Sequence, residues 1–404
     1  MNKSQTVWEI FWRFLMLGCI CFGGPAAHLG YFHRYFVERL AWLDAEHYGK
    51  LVALSQFLPG PGSSQMGFAI GLQRAGLAGG IAAFIGFTLP SFFLMFGFAG
   101  YILWSSNPDW MQALIHGLKL LAVVVVADAV LNMARQFCQS NVTKLLTLCS
   151  VILLLGLNAI YMQIAVLLIA ATIGALNHGL FMPTVTQPTT TPPGHINFMA
   201  LLMFVLLFTL SFILAYSQVA SDNNLLKVAA QFYQSGSLVF GGGHVVLPLL
   251  QQSVGDALSS EQFLSGYAAA QGVPGPMFSL AAYLGALLNP VSPLSGALAA
   301  TLALFMPGLL LIYALHQYWA KLANRPRIAG AVSAINASVV GILFSAWINP
   351  VLSNAVLSVA DAGAVIIGLF LLKTVRLPIV VLLLLFAIYG LSGLSDITLS
   401  YKIF

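Results

Sequence analysis

The sequence predicts an all-α, polytopic membrane protein of two inverted-topology repeats, with broken or re-entrant helices at its Pro-Gly-Pro motifs. Three observations carry this. Of 404 residues, 59% are hydrophobic and 7% charged, whereas a soluble domain has about 25% charged residues; the mean hydropathy is +0.92. Apolar runs such as residues 77–104 and 198–216 reach the roughly 20 residues that one helix needs to cross a bilayer. Finally, one pattern of helix breakers occurs twice. Phe22-Gly23-Gly24-Pro25 is followed by Gln56-x-x-Pro59-Gly60-Pro61, and Phe240-Gly241-Gly242-Gly243 by Gln271-x-x-Pro274-Gly275-Pro276.

Several classes are disfavoured at once. The apolar runs are long and do not alternate with polar residues, so transmembrane β-strands are not expected. The charge of +5 sits mostly in loops, where the positive-inside rule places it; the expected partner is the lipid bilayer and not nucleic acid. Cys19, Cys21, Cys138 and Cys149 show no zinc spacing and read as buried thiols. Glu9 and Arg13 interrupt the first apolar stretch, against a signal peptide. No Gly-x-x-x-x-Gly-Lys-Ser/Thr motif is present, so ATP hydrolysis is not expected, and nothing calls for a cofactor or a metal.

Along the chain, residues 1–182 form the first repeat. The Thr- and Pro-rich stretch 183–197 reads as a linker, 198–217 as an extra connecting helix, and 218–404 as the second repeat. Landmarks recur at an offset of about 215 residues, as from Gln56 to Gln271. Charge gives the orientation. In the first half Arg34, Arg39, Lys50 and Arg74 follow the two breaks, whereas the corresponding loops 251–262 and 288–294 have no Lys or Arg. Loop 105–110 has no basic residue, and its counterpart 319–328 has Lys321, Arg325 and Arg327. The basic loops exchange sides, so the repeats are expected to lie oppositely oriented. Lys50 and Arg74 flank one broken segment; a re-entrant hairpin keeps both in the cytoplasm, and irregular backbone at depth then lines protein or a water-filled cavity.

The chemistry is expected at the breaks. Proline ends a helix and glycine permits unusual backbone angles. Pro59-Gly60-Pro61-Gly62-Ser63-Ser64 reads as a stop, a loop and a new start with Ser63 or Ser64 as N-cap. The new helix presents free N–H groups and the positive end of its dipole, which is an anion site. Pro274-Gly275-Pro276 offers a second, and inversion would bring the two together. Matched breaks in two repeats point to a transporter's binding site. Gln56 and Gln271, one turn upstream, either donate to an oxyanion or bond freed carbonyls. The Gly-rich elements (Phe22, Gly23, Gly24, Pro25; Phe240, Gly241, Gly242, Gly243) read as close packing or as further breaks. Asp128 lies in an apolar run and reads as a proton-coupling carboxylate or as the partner of Lys119 or Arg135. His28 and His244 follow the Gly-rich elements and read as titrating groups or as satisfied interfacial histidines. Arg34, Glu38, Arg39, Asp44 and Glu46 read as a solvated loop or an anion vestibule.

These residues resemble the chromate ion transporter family. The resemblance rests on Phe22-Gly-Gly-Pro-x-x-His28, Val37-Glu38-Arg39-Leu-x-Trp42-Leu43, Leu54-Ser-Gln-Phe-Leu-Pro-Gly-Pro61 and Phe87-Thr-Leu-Pro-Ser91. It continues through Phe240-Gly-Gly-Gly, Pro248-Leu249, Glu261-Gln-Phe263, Gln271-Gly-Val-Pro-Gly-Pro276 and Phe305-Met-Pro307, covering both halves as in the two-repeat members. It implies export of chromate, a tetrahedral dianion shaped like sulfate, across the bacterial inner membrane, with chromate or a sulfate-like oxyanion as partner and a homodimer as an open assembly. The chain departs from similar proteins at Gln251 and Gln252, where acidic residues often stand. A channel-like anion pore is the competing reading. An intramembrane enzyme is not expected, because the histidines are dispersed and acids are scarce at depth.

Overall fold

The computed structural model describes residues 3–104, 109–156, 160–181, 195–216, 224–240, 246–319 and 325–392, and no strand occurs among them. The first half runs α1 (Lys3–Ile20), α2 (Gly24–Phe32, continued by a wider π turn, His33–Arg39), α3 (Ala45–Phe57), α4 (Gly62–Trp104), α5 (Asp109–Phe137), α6 (Asn141–Gly156), α7 (Ile160–Leu176) and the short α8 (His178–Phe181). After α9 (Phe198–Tyr216), the same order returns as α10 (Asn224–Leu238), α11 (Val246–Val254), α12 (Ser260–Gly272), α13 (Leu280–Leu288), α14 (Pro293–Leu315), α15 (Pro326–Ala346), α16 (Val359–Phe370) and α17 (Ile379–Leu391). Long helix α4 is broken at Ala75 and Gly76, whose backbone leaves helical angles. Its two arms, 62–74 and 77–104, answer to α13 and α14.

Among the described residues five helices are long and apolar enough to cross a membrane: Gly62–Trp104, Gln112–Phe137, Phe198–Ala215, Pro293–Leu315 and Pro326–Ala355. Helix α9 lies at the rim with Leu202, Leu206 and Leu210 turned outward. In lipid this needs no partner, because the solvent is as apolar as the side chain. The same logic corrects the expectation for the thiols. Cys21 is buried, but Cys19 and Cys149 are exposed on outward helix faces and Cys138 is half-buried.

Two kinds of helix pair fold back as hairpins. Helix α3 has 13 residues, about 20 Å at 1.5 Å per residue, which is short of the roughly 30 Å hydrocarbon core. The first arm of α4 runs back beside it. The Arg74 guanidinium lies 5.0 Å over the Trp42 ring, and Gln73 bonds His47, so both ends of the segment lie together. The segment is thus a helical hairpin with its flanking Lys50 and Arg74 on the same side of the molecule. Its counterpart folds the same way: the Tyr283 hydroxyl donates to the Gln262 carbonyl at 2.9 Å, closing α12 against α13. Helices α1 and α2 form another hairpin, closed by Arg13 donating to the Tyr35 hydroxyl at 3.0 Å and by Phe14 stacked on Phe36 at 4.9 Å.

The halves interlock reciprocally. Helix α5 packs on α17 where Gly117 meets the Phe386 carbonyl and Gly390 meets the Ala113 carbonyl. Helix α7 packs on α15 where Gly174 and Gly330 meet each other's carbonyls. Helix α5 and its counterpart α15 thus each pack on the closing long helix of the other half, and missing side chains let the backbones touch. Partner exchange of this kind is what a two-fold relation between matching surfaces produces.

Candidate functional site

The broken tips of these hairpins meet in cross-half pairs. At the first Pro-Gly-Pro loop, the Gly60 N–H donates to the Val239 carbonyl at 2.7 Å, immediately before Phe240. At the second, the Gly275 N–H donates to the Cys21 carbonyl at 2.8 Å, immediately before Phe22. Gly60 also lies against Gly308, and Gly275 against Ser91; these are the residues after Pro307 and Pro90, the prolines of α14 and of the long arm of α4. The same trio therefore forms twice with the halves exchanged. Gly24 adds a contact toward Met277. The Gly241, Gly242, Gly243 and His244 part of the second Gly-rich element lies outside the described residues.

Backbone conformation explains why glycine stands at the tips. Gly60 has φ +126° and Gly275 φ +94°, where a Cβ is strained. A Cβ on Gly60 would also come within 2.8 Å of the Gly308 Cα. Proline on either side has no N–H to leave unpaired. Buried Gln65 holds the first loop in place: its Nε2 donates to the Pro59 carbonyl at 2.9 Å and to the Gly308 carbonyl at 3.3 Å.

Helix starts behind both loops face the tips. The Gln65 N–H donates to the Pro61 carbonyl at 2.8 Å, so the helix begins at Gly62 and Pro61 stands at the cap. The expectation that Ser63 or Ser64 caps the helix is corrected: both sit inside its first turn. The N–H groups ahead of that first bond have no intrahelical acceptor. Behind the second loop, Met277–Ser279 is a 3₁₀ turn, with Ser279 N–H on the Pro276 carbonyl at 3.0 Å.

Unpartnered polar atoms stand beside each of the loops. The Oγ of Ser64, the Oγ of Ser279, Nε2 of Gln271, Oε1 of Gln65 and both ring nitrogens of His28 are buried with no hydrogen-bond partner. Such a group costs about 1–3 kcal/mol. The reading of His28 as interfacial is corrected: it is fully buried, edge-on to Phe87 at 5.3 Å. Gln56 is half-buried on the last turn of α3. Residues 51–73 and 262–318 contain no Asp, Glu, Lys or Arg, so neither hairpin brings a charge of its own to its tip.

Charged groups are matched elsewhere. Asp128 pairs with Lys373 at 3.1 Å and accepts from the Asn132 amide at 2.9 Å, instead of pairing with Lys119 or Arg135. Lys119 reaches Glu261 at 3.1 Å. The mixed-charge segment is largely helical: Asp44 caps α3 through the His47 N–H at 2.7 Å, Glu46 pairs with Lys50 at 2.7 Å, Glu38 meets His33 at 3.0 Å, and Arg34 and Arg39 lie over the Tyr31 and Tyr35 rings. Among the described residues no group of three His, Cys, Asp or Glu has metal-binding geometry. Sequence reasoning missed Asp361, which is 1% exposed. It accepts from Leu357 N–H, Ser358 N–H and the Tyr389 hydroxyl at 3.0 Å each and faces His116 Nε2 at 3.0 Å. The Ser358-x-x-Asp361 capping pattern was its available signal.

Broken helices whose tips meet the opposite half of an apolar helical body are the architecture of a polytopic membrane transport protein. The chain belongs to the chromate transporter family, whose profile matches residues 8–175 and 226–391. Among its relatives is a probable chromate transport protein of Synechococcus elongatus, 28% identical over 355 residues, covering 86% of this chain and 85% of the relative. The chromate transport protein of Cupriavidus metallidurans is 26% identical over 351 residues, 85% and 82% of the two chains. That of Pseudomonas aeruginosa is 24% identical over 345 residues, 84% and 80%. No solved structure matches the chain significantly.

Proposed function

We propose that this protein is a secondary transporter that exports chromate, and sulfate or a similar tetrahedral oxyanion, from the bacterial cytoplasm across the inner membrane. The observation that carries the reading is that each Pro-Gly-Pro tip meets the opposite half and has an unpartnered buried hydroxyl in the helix start behind it. Helix N-termini there supply positive dipole ends and N–H donors for an anion without a buried cation, which suits a cargo that must also leave. Residues 1–182 and 218–404 act as inverted repeats, with 198–217 as the extra crossing that reverses the second. Reciprocal tip contacts support this, since inverted repeats place substrate sites at their shared interface.

Inside-out membrane vesicles test the proposal. Energised vesicles are expected to accumulate labelled chromate against its gradient, and added sulfate to compete. Uptake that only equilibrates would instead identify an anion channel, and no uptake with the protein present would remove chromate as cargo.

Asp128→Asn separates coupling from structure. Because Lys373 already neutralises Asp128, the variant is expected to transport at the wild-type rate with an unchanged pH profile, and to lose about 1 kcal/mol or less of stability, since both side chains still reach the surface. A flattened or shifted pH profile would make Asp128 a coupling carboxylate.

A further inference from the structure

The geometry points to the hydroxyls of Ser64 and Ser279, one from each half, as paired direct ligands of the transported oxyanion. The assignment rests on the transport reading above and names side chains that recognise the cargo.

The two serines occupy one position in duplicate. Each is the third residue after the last proline of a Pro-Gly-Pro loop, in the first turn of a helix start, and each is 1% exposed. Each Oγ lacks a hydrogen-bond partner. Other buried serines of this fold behave differently. Ser55, Ser91, Ser237 and Ser265 donate to carbonyls three or four residues back, at 2.9, 2.9, 2.8 and 2.6 Å. That back-bond is the ordinary resting place of a helical hydroxyl. Ser64 and Ser279 sit where the residues three and four behind belong to the loop and not to a helical turn. Ser338, inside α15, shares the missing partner but not the position.

Direction follows from helix geometry. Every Cα–Cβ bond in a helix tilts toward its N-terminus, so a first-turn hydroxyl leans toward its own tip, beside the helix's unpaired N–H groups. An unpartnered buried hydroxyl requires an explanation such as an ion or a water. Here it comes with two helix starts of the polarity that holds anions, and with a third unpartnered donor, Gln271 Nε2, just upstream of the second tip. No charged side chain lies in either hairpin segment from 51 to 73 or from 262 to 318. Recognition therefore falls to neutral donors. A hydroxyl donating to an anionic oxygen makes a short, charge-assisted bond, and two of them from opposite halves suit two oxygens of one tetrahedral dianion such as chromate, sulfate or molybdate.

The test uses the purified full chain in detergent, as wild type, Ser64→Ala, Ser279→Ala and the double variant. The thermal midpoint is followed as chromate or sulfate is added. Without anion, the alanine variants are expected to match or exceed the wild-type midpoint, because an unpartnered buried hydroxyl has been removed. The anion concentration giving half of the stabilising shift is expected to rise about tenfold for each serine lost, as for a hydrogen bond to a charged group. Ser→Cys keeps the size with a weaker donor and is expected to fall between. Alanine variants that keep the wild-type concentration dependence overturn the serine assignment alone. Anion-free midpoints several degrees lower also overturn it, since the hydroxyls would then be bonded within the protein. A wild type with no shift in either anion overturns the transport reading, and the assignment with it.

Discussion

Gly60→Ala and Gly275→Ala are each expected to lower transport at least about tenfold, with the protein still inserted in the membrane. Each glycine occupies positive φ, +126° and +94°, a region that costs an L-residue roughly 1–3 kcal/mol. Space makes it worse. A Cβ on Gly60 would lie 2.8 Å from the Gly308 Cα, and one on Gly275 3.0 Å from Ser91 Oγ. Backbone cannot step aside as a flexible side chain does, so the first loop must move away from α14. That movement breaks the Gly60 N–H bond to Val239 and turns the helix start behind it. A displacement of this kind affects a binding site more than a fold, because the hairpin keeps its apolar packing while the donors lose their aim. Gly76→Ala is the control. It too has positive φ, +66°, but nothing lies within 4 Å of the added carbon, so it carries the backbone strain without the collision. Its transport is expected to stay near wild type. Equal transport by all three variants and wild type would remove the tips from the mechanism.

Asp361→Ala is expected to destabilise the protein by about 3–5 kcal/mol, the usual cost of removing one partner from a buried pair. Its carboxylate accepts from two backbone N–H groups at the start of α16 and from the Tyr389 hydroxyl on α17, and it faces His116 on α5. Three helices from both halves thus close on one acidic side chain. Alanine leaves the Leu357 and Ser358 N–H groups and the Tyr389 hydroxyl without that acceptor, and opens the capping box. Asp361→Asn keeps one acceptor oxygen and is expected to lose less. The thermal midpoint in detergent and the amount of protein in the membrane read both. A wild-type midpoint for Asp361→Ala would mean that water replaces the carboxylate and that the three helices hold together by packing alone.

Much of this architecture was legible before any coordinates. Composition alone made the chain a helical membrane protein. The doubled breakers located the tips to the residue, since glycine and proline act on the backbone where they stand. Lys50 and Arg74 implied the hairpin that Arg74 and Trp42 close, because a charge cannot rest in hydrocarbon and so reports on which side a loop lies. The site was legible in part. Gln271 and Ser64 stood out beside their breaks, but Ser279, at the matching position of the second repeat, did not. Its helix starts with a 3₁₀ turn that leaves no capping signature. His28 read as a titrating or an interfacial histidine; the aromatic cluster around Phe87 buries it, which its sequence neighbours do not show.

The sequence by itself determined the class of protein, the two matched halves, the positions of the helix breaks and the exchange of basic loops. All of these are local properties: hydropathy, turn chemistry and charge act within a few residues. Only the tertiary structure decided which break meets which. Gly60 meets Val239 and Gly308, Gly275 meets Cys21 and Ser91, Asp128 meets Lys373, and Asp361 meets His116. The partners in each pair are well over a hundred residues apart, and no periodicity carries information across that distance. Such pairs are chosen by the packing of whole helices, where glycine lets backbones touch and each buried polar group must find whatever donor or acceptor the opposite half brings within reach.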